Sequence, residues 1–159
     1  MAARKVNIIV FSGELDKALA AFNIAIGAAS MGMEVTMFFT FWGLNVIKKN
    51  EGSIKSKGIM RKMLNMMNRG GTKRLPLSKF NMWGIGKWMM GKLMKDVNFP
   101  SIDELMKVAR DLGVKFITCN TTLALMGVTQ EAIIPEVDDC AGVTTFLSLA
   151  DEGSVNLFI

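Results

Sequence analysis

The run KVNIIVF, Lys5 to Phe11, constrains the fold more than any other stretch. It is apolar and β-branched without the alternation of a half-exposed strand, so it predicts a strand buried on both faces. SGELDKALAAFNIAIGAASMG follows, and Leu15, Leu19, Phe22 and Ile26 recur there at helical spacing with small residues between them. Ser12 and Glu14 stand where such a helix would begin, and Gly32 where it would stop. EVTMFFTF is a second strand. A strand, a helix and a strand in such short succession form a βαβ unit, which implies a parallel pair and a right-handed crossover.

The same rhythm returns near the C-terminus. PSIDELMKVARDLG has Ser101 three residues before Glu104, a capping-box pattern, and an apolar face of Ile102, Leu105, Val108, Ala109 and Leu112. VKFITC is a third strand, TTLALMG a short helix, and EAIIPEVDDC a turn with a brief apolar segment. AGVTTFLSLADEG is the last helix and SVNLFI the last strand. This alternation predicts an α/β fold: a three-layer sandwich around a mostly parallel, flavodoxin-like sheet of about five strands. The 159 residues fit one domain, 1–159, and half of them are apolar, enough for a real core.

The middle of the chain departs from that pattern. From about 44 to 98 it reads as a helical insert after the second strand. It holds eight of the 14 methionines and two of the three tryptophans. Ile59, Met60, Met63, Leu64 and Met67 form an apolar stripe with basic residues opposite. NRGGTKRLPLSK reads as an open loop, and Trp83, Trp88, Met89 and Met90 lie in a second, shorter amphipathic stretch. Lys48 to Lys95 carries 13 Lys or Arg against the single acid Glu51, a net of +12, while the rest of the chain is net −7. One reading of this cationic segment is a solvated face whose Met and Trp complete the core or an oligomer interface. The other is a docking surface for an acidic carrier or an anionic membrane. No nucleic-acid motif accompanies the charge.

Histidine is absent, which removes a His general base, Ser-His-Asp and Cys-His pairs, and His metal sites from within this chain. Two cysteines without C-x-x-C spacing predict neither a zinc site nor a disulfide scaffold, so no metal and no cofactor is expected, and a reducing, cytoplasmic setting is. The longest uncharged window, 18–33, is too short and too mixed for a membrane span, and the N-terminus lacks the pattern of a secretory signal.

Cys119 stands where the third strand meets a polar cluster that can open a helix. In open parallel sheets, ligands and reactive groups collect beyond the carboxyl ends of the strands. Thr121 or Thr122 is placed to cap the helix, with N–H groups directed at the sulfur, which favours a thiolate. Those donors and a lysine would stand in for histidine. The competing reading is a small buried sulfur that only packs. Cys140 follows Asp138 and Asp139, whose charge opposes thiolate formation, and reads as structural or as an accessory thiol. Ser12 and Gly13 open the first helix without a phosphate-loop pattern, and Phe41 and Trp42 flank the neighbouring junction, as pocket walls or as core.

SGELDKALAAFNIAIGAASMGMEVTMFFTFWGL, LPLSKFNMWGIGKWMMGKLMK, PSIDELMKVARDLGVKFITCNTTLALMGV and AGVTTFLSLADEGSVNLFI together resemble the DsrE/DsrF/DsrH-like family, in its subfamily with a Met- and Gly-rich insert. The resemblance runs through nearly the whole chain. It implies a parallel α/β domain that assembles into homo-oligomers and takes part in cytoplasmic sulfur trafficking. It also implies that Cys119 carries sulfane sulfur as a persulfide, exchanged with small TusA-type carriers or rhodanese-type donors. On that reading Thr118, Asn120 and Thr121 orient the sulfur, and Ser12, Gly13, Phe41 and Trp42 line the mouth of its pocket. Localisation is then cytoplasmic, with peripheral contact at the inner membrane face through the insert. The rival classes are a non-catalytic oligomeric scaffold or membrane-binding module, and a peroxide-reactive thiol protein.

Overall fold

The computed structural model describes residues 4–50, 58–150 and 154–159. Its five strands are β1 (Lys5–Val10), β2 (Glu34–Phe39), β3 (Lys115–Cys119), β4 (Asp139–Ala141) and β5 (Val155–Phe158). They form one sheet in the order β4-β3-β2-β1-β5, and every neighbouring pair is parallel. The chain steps from β1 to β4 in one direction and then returns across the whole sheet to β5. Right-handed crossovers therefore place α1 (Leu15–Ser30) and α5 (Ile102–Asp111) on one face and α7 (Val143–Leu149) on the other. This is the three-layer, flavodoxin-like α/β architecture expected from the sequence.

The α1/α5 face holds the main core. Ile8, Met37 and Phe116 stand in register across β1, β2 and β3, each fully buried. α1 lays Ala18, Ala21 and Ala25 on them, and these short side chains let Phe22 reach the edge of Phe116 at 5.8 Å. α5 begins with the capping box that Ser101 and Glu104 foretold: the Ser101 N–H donates to Glu104 Oε2 at 2.7 Å, and the Glu104 N–H donates back to Ser101 Oγ at 3.3 Å. The opposite face holds a smaller cluster of Phe38, Ile117, Cys119, Ala141 and Phe146. Phe146 is the one buried side chain of α7 and stacks on Phe38 at 4.8 Å.

Three features of the chain's middle and end differ from the sequence reading. The stripe on α3 (Ile59–Met67) faces outward: Met60 and Met67 are exposed, Leu64 alone of the stripe packs on the core, and the buried position is Asn65, whose amide donates to the Met126 carbonyl. The segment 68–79 is not an open loop. Leu75 is buried in the main core, and the Pro76 carbonyl accepts from the Leu15 N–H at 2.7 Å. β4 is a three-residue edge strand that contains Cys140, where the sequence suggested only a brief apolar segment before the last helix. Residues 51–57 of the insert and 151–153, where the last helix was expected to end, lie outside the described residues. No helix among the described residues is long and apolar enough to cross a membrane.

Candidate functional site at the end of strand three

The carboxyl ends of β1, β2 and β3 meet in one place. After β2 the chain turns through a short 3₁₀ segment, Phe41–Gly43, directly over the end of β1. Gly43 permits this crossing, since a Cβ there would lie 1.9 Å from the Val10 carbonyl oxygen. Its N–H donates to the Phe11 carbonyl at 2.8 Å. Gly13 is held as closely: a Cβ would stand 2.6 Å from the Trp42 carbonyl oxygen. The junctions carrying Gly13 and Trp42 are therefore in contact. Phe41 and Trp42 are both about two-fifths exposed, with Phe41 against Phe11 at 5.3 Å. Ser12 Oγ accepts from the Lys17 ammonium at 3.3 Å.

Cys119 is the last residue of β3 and itself the N-cap of α6 (Asn120–Met126), a role the sequence reading gave to Thr121 or Thr122. Its side chain lies on the α7 face, in register with Ala141 and in one cluster with Phe146. The thiol is 2% exposed, within the smaller cluster on that face. Burial pushes its pKa up, but hydrogen bonding pulls harder, and the net shift is downward. The contributing groups are the Thr122 hydroxyl and N–H, the Thr40 hydroxyl and the Thr121 N–H. The two N–H groups belong to the first turn of α6, where they have no partner within the helix. The two hydroxyls also meet each other at 2.9 Å, so one spends its proton on the other and the second is left to donate to the sulfur. No lysine takes part. A thiol so placed is biased toward the thiolate, the nucleophilic form, without histidine.

Three other sequence-based candidates lie differently. The Thr118 hydroxyl points to the opposite face and donates to the Asp139 carbonyl. Asn120 Oδ1 accepts from the Thr121 hydroxyl and leaves the sulfur alone. Cys140 is in register with Thr118, so it too faces away from Cys119. It lines a cleft of about 580 Å³ with Thr118, Lys49, Gln130 and Asp139. Both cysteines are free thiols. Thr40 and the Thr122 hydroxyl were not singled out from sequence. The signal was the register: Thr40 follows β2 as Cys119 ends β3, so parallel pairing brings the two side by side.

The family model for the DsrE/DsrF/DrsH-like family matches residues 2–158. The chain belongs to that family. Within it, the chain is 41% identical to the uncharacterized protein YrkE of Bacillus subtilis, over 98% of this chain and 97% of the relative. It is 32% identical to the sulfur carrier protein DsrE2 of Allochromatium vinosum, over the full length of both. The fold is shared with a protein of unknown function from Methanobacterium thermoautotrophicum, MTH1491. There the TM-score is 0.56 at 12% identity, covering 98% of this chain and 99% of the other.

Proposed function

We propose that this DsrE-like chain is a sulfur carrier, with Cys119 as the atom that holds the cargo. The observation that carries the reading is the thiol at the end of β3, set against the first-turn N–H groups of α6 and the Thr40–Thr122 hydroxyl pair in a chain without histidine. The name of the full-length Allochromatium relative supports it. The Cys119 thiolate attacks the outer sulfur of a donor persulfide, R–S–SH. A new S–S bond forms on Cys119, the donor's S–S bond breaks, and R–S⁻ leaves with the electron pair and takes up a proton. An acceptor thiolate then removes the outer sulfur and regenerates Cys119. Thr40 and Thr122 hold the thiolate, and Phe41, Trp42, Ser12 and Gly13 form the mouth. Cys140, on the other side of the sheet, takes no part in this single-cysteine cycle. A TusA-type carrier or rhodanese-type donor is the partner class, acting on a homo-oligomer in the cytoplasm.

Intact mass after incubation with a persulfide donor tests this. Wild type and Cys140→Ser should each gain one reducible sulfur, and Cys119→Ser none. If no form gains sulfur from a donor that loads a control thiol protein, the carrier reading fails.

A second reading rests on a different observation. The exposed apolar side chains of the insert, among them Met60, Met67, Trp83 and Trp88, lie in its cationic stretch. That combination favours contact with an anionic membrane surface, either as the site where the carrier works or as the function of a non-catalytic module. A Cys119→Ser form that keeps full function in the cell would favour the module.

A further inference from the structure

Charge is distributed around Cys119 in a way that the carrier reading does not require. The chain is 21% charged, yet the segments that meet at the carboxyl ends of the sheet carry no Asp, Glu, Lys or Arg. These are 6–13, 40–47, 119–129, 140–150 and 154–159, so the junctions after β2 and β3, all of α6 and all of α7 are uncharged, while the junction after β1 ends on Glu14, which pairs with Lys17 at 3.5 Å. The cluster around the sulfur is apolar, made of Phe38, Ile117, Ala141 and Phe146, with Ile9 and Leu149 packed against it. The rim is apolar as well, since Phe41, Trp42, Leu125, Val143 and Leu147 are all exposed. Among the described residues, only hydrogen bonds and burial act on the thiol, with no contribution from a neighbouring charge. Asp139 also lies on this face of the sheet. It is in register with Ile117, two residues or about 7 Å back from the thiol, and it is an acid.

We infer that this mouth, apolar but for one ion pair closed on itself, selects the sulfur donor: Cys119 takes sulfur from a neutral sulfane group, the R–S–SH form of a persulfide, and rejects the thiosulfate dianion. The inference rests on the carrier reading and adds a specificity to it. Both donors could in principle load the same thiol. With R–S–SH, the attacked sulfur enters as a neutral group and R–S⁻ departs. With thiosulfate, Cys119–S⁻ would attack the sulfane sulfur, the S–S bond to the sulfonate would break, and sulfite would leave with the electron pair. That route brings a dianion to the thiolate and forms sulfite beside it. The one cation that reaches the mouth among the described residues, Lys17 on Ser12 Oγ, is already paired with Glu14 at 3.5 Å, and the donors around Cys119 are turned to its own sulfur. An ionic group desolvated without a partner is strongly disfavoured, whereas the persulfide adds only polarisable sulfur to an apolar pocket.

Two measurements on Cys140→Ser test the selection independently of cargo. The first compares alkylation of Cys119 by neutral iodoacetamide and by anionic iodoacetate, reagents of nearly equal size that face the same steric barrier. The rate ratio in the folded protein should exceed that of the urea-unfolded protein by about 50-fold or more. The second compares sulfur loading from a persulfide whose R group is uncharged, that of N-acetylcysteine methyl ester, and from thiosulfate, with loading from thiosulfate slower by a similar factor. Leu149→Lys, which sets a cation against the cluster, should narrow both ratios. If folded and unfolded ratios agree, or thiosulfate loads as fast as the persulfide, charge selection is overturned while the carrier reading stands. If neither donor loads Cys119, the carrier reading falls and this inference with it.

Discussion

At the scale of single residues, two groups are set by what surrounds them. Cys119 is shifted toward the thiolate by hydroxyl and amide donors, with burial opposing them. The pH profile of its alkylation in Cys140→Ser should therefore inflect below the ordinary thiol value of about 8.5. Thr122→Val removes the leading donor and keeps the shape, so the inflection should move up and the rate at neutral pH should fall about 3- to 10-fold. An unchanged profile would mean that the hydroxyl does not reach the sulfur. Lys48 is the other case. It is 2% exposed, donates to Asn45 Oδ1 at 2.9 Å and to the Asn68 carbonyl at 3.3 Å, and has no carboxylate partner among the described residues. Burial lowers its pKa to about 8, against about 10.4 in the unfolded chain. Between those values the unfolded chain binds more protons, so stability from this group rises with pH through that window. Below about pH 8 the cost of burying the ammonium is fully present. Urea unfolding of wild type relative to Lys48→Met should gain on the order of 2–3 kcal/mol between about pH 7.5 and pH 10. A flat difference would show that the ammonium is well solvated in the folded state. Neither environment was legible in the sequence. Lys48 reads there as one cation among the 13 of the insert, and Thr40 as the end of a strand. Both depend on contacts between residues far apart in the chain.

At the scale of elements, legibility followed amphipathicity. β1, α1, β2, α5 and β3 were read correctly because each either buries a continuous apolar run or carries a regular face, with Ser101 and Glu104 marking a start. α3 has an equally regular stripe, but the stripe faces out. Its register is set by Asn65 donating to Met126 and by Leu64 on the core, and the number of exposed methionines does not reveal that. β4 was hidden by its length of three residues and by its aspartate, features that suit an edge strand. α7 is the element on which access to Cys119 depends. It has no side-chain N-cap and a single buried residue, Phe146, lying in the same cluster as the thiol. Phe146→Ala should loosen α7 locally and raise the alkylation rate of Cys119 at least about 10-fold. The main core, on the other face, should keep its helical circular dichroism and nearly its urea midpoint. If Phe146 instead belongs to one cooperative unit, the midpoint should fall with the rate, by about 3 kcal/mol for a Phe→Ala cavity.

At the scale of the whole molecule, the sheet order and the charge layout divide the protein into separate regions. The steady walk from β1 to β4 and the return to β5 put the reactive thiol on the α7 face, beside segments with no charge. The handedness of the crossovers was predictable, but the return was not, because strand order leaves no periodicity to read. The cations are gathered in the insert, on the stretch that also exposes Trp83, Trp88, Met60 and Met67. Two copies meeting through this surface would oppose like charges, whereas an anionic surface would be attracted by them and would accept the apolar side chains. Each basic residue near such a surface contributes about 1 kcal/mol, screened within about 10 Å at 0.1 M salt. The protein should therefore sediment with vesicles of mixed anionic and zwitterionic phospholipid at low salt, with a blue shift of tryptophan emission, and bind purely zwitterionic vesicles far less. Raising salt to 0.5 M should weaken the association by tenfold or more. Trp88→Ala should weaken it without changing its salt dependence, because that change removes apolar burial and leaves the charge intact. Equal binding to both kinds of vesicle, or none to either, would count against a membrane partner. The exposed insert would then need an acidic protein surface to cover it.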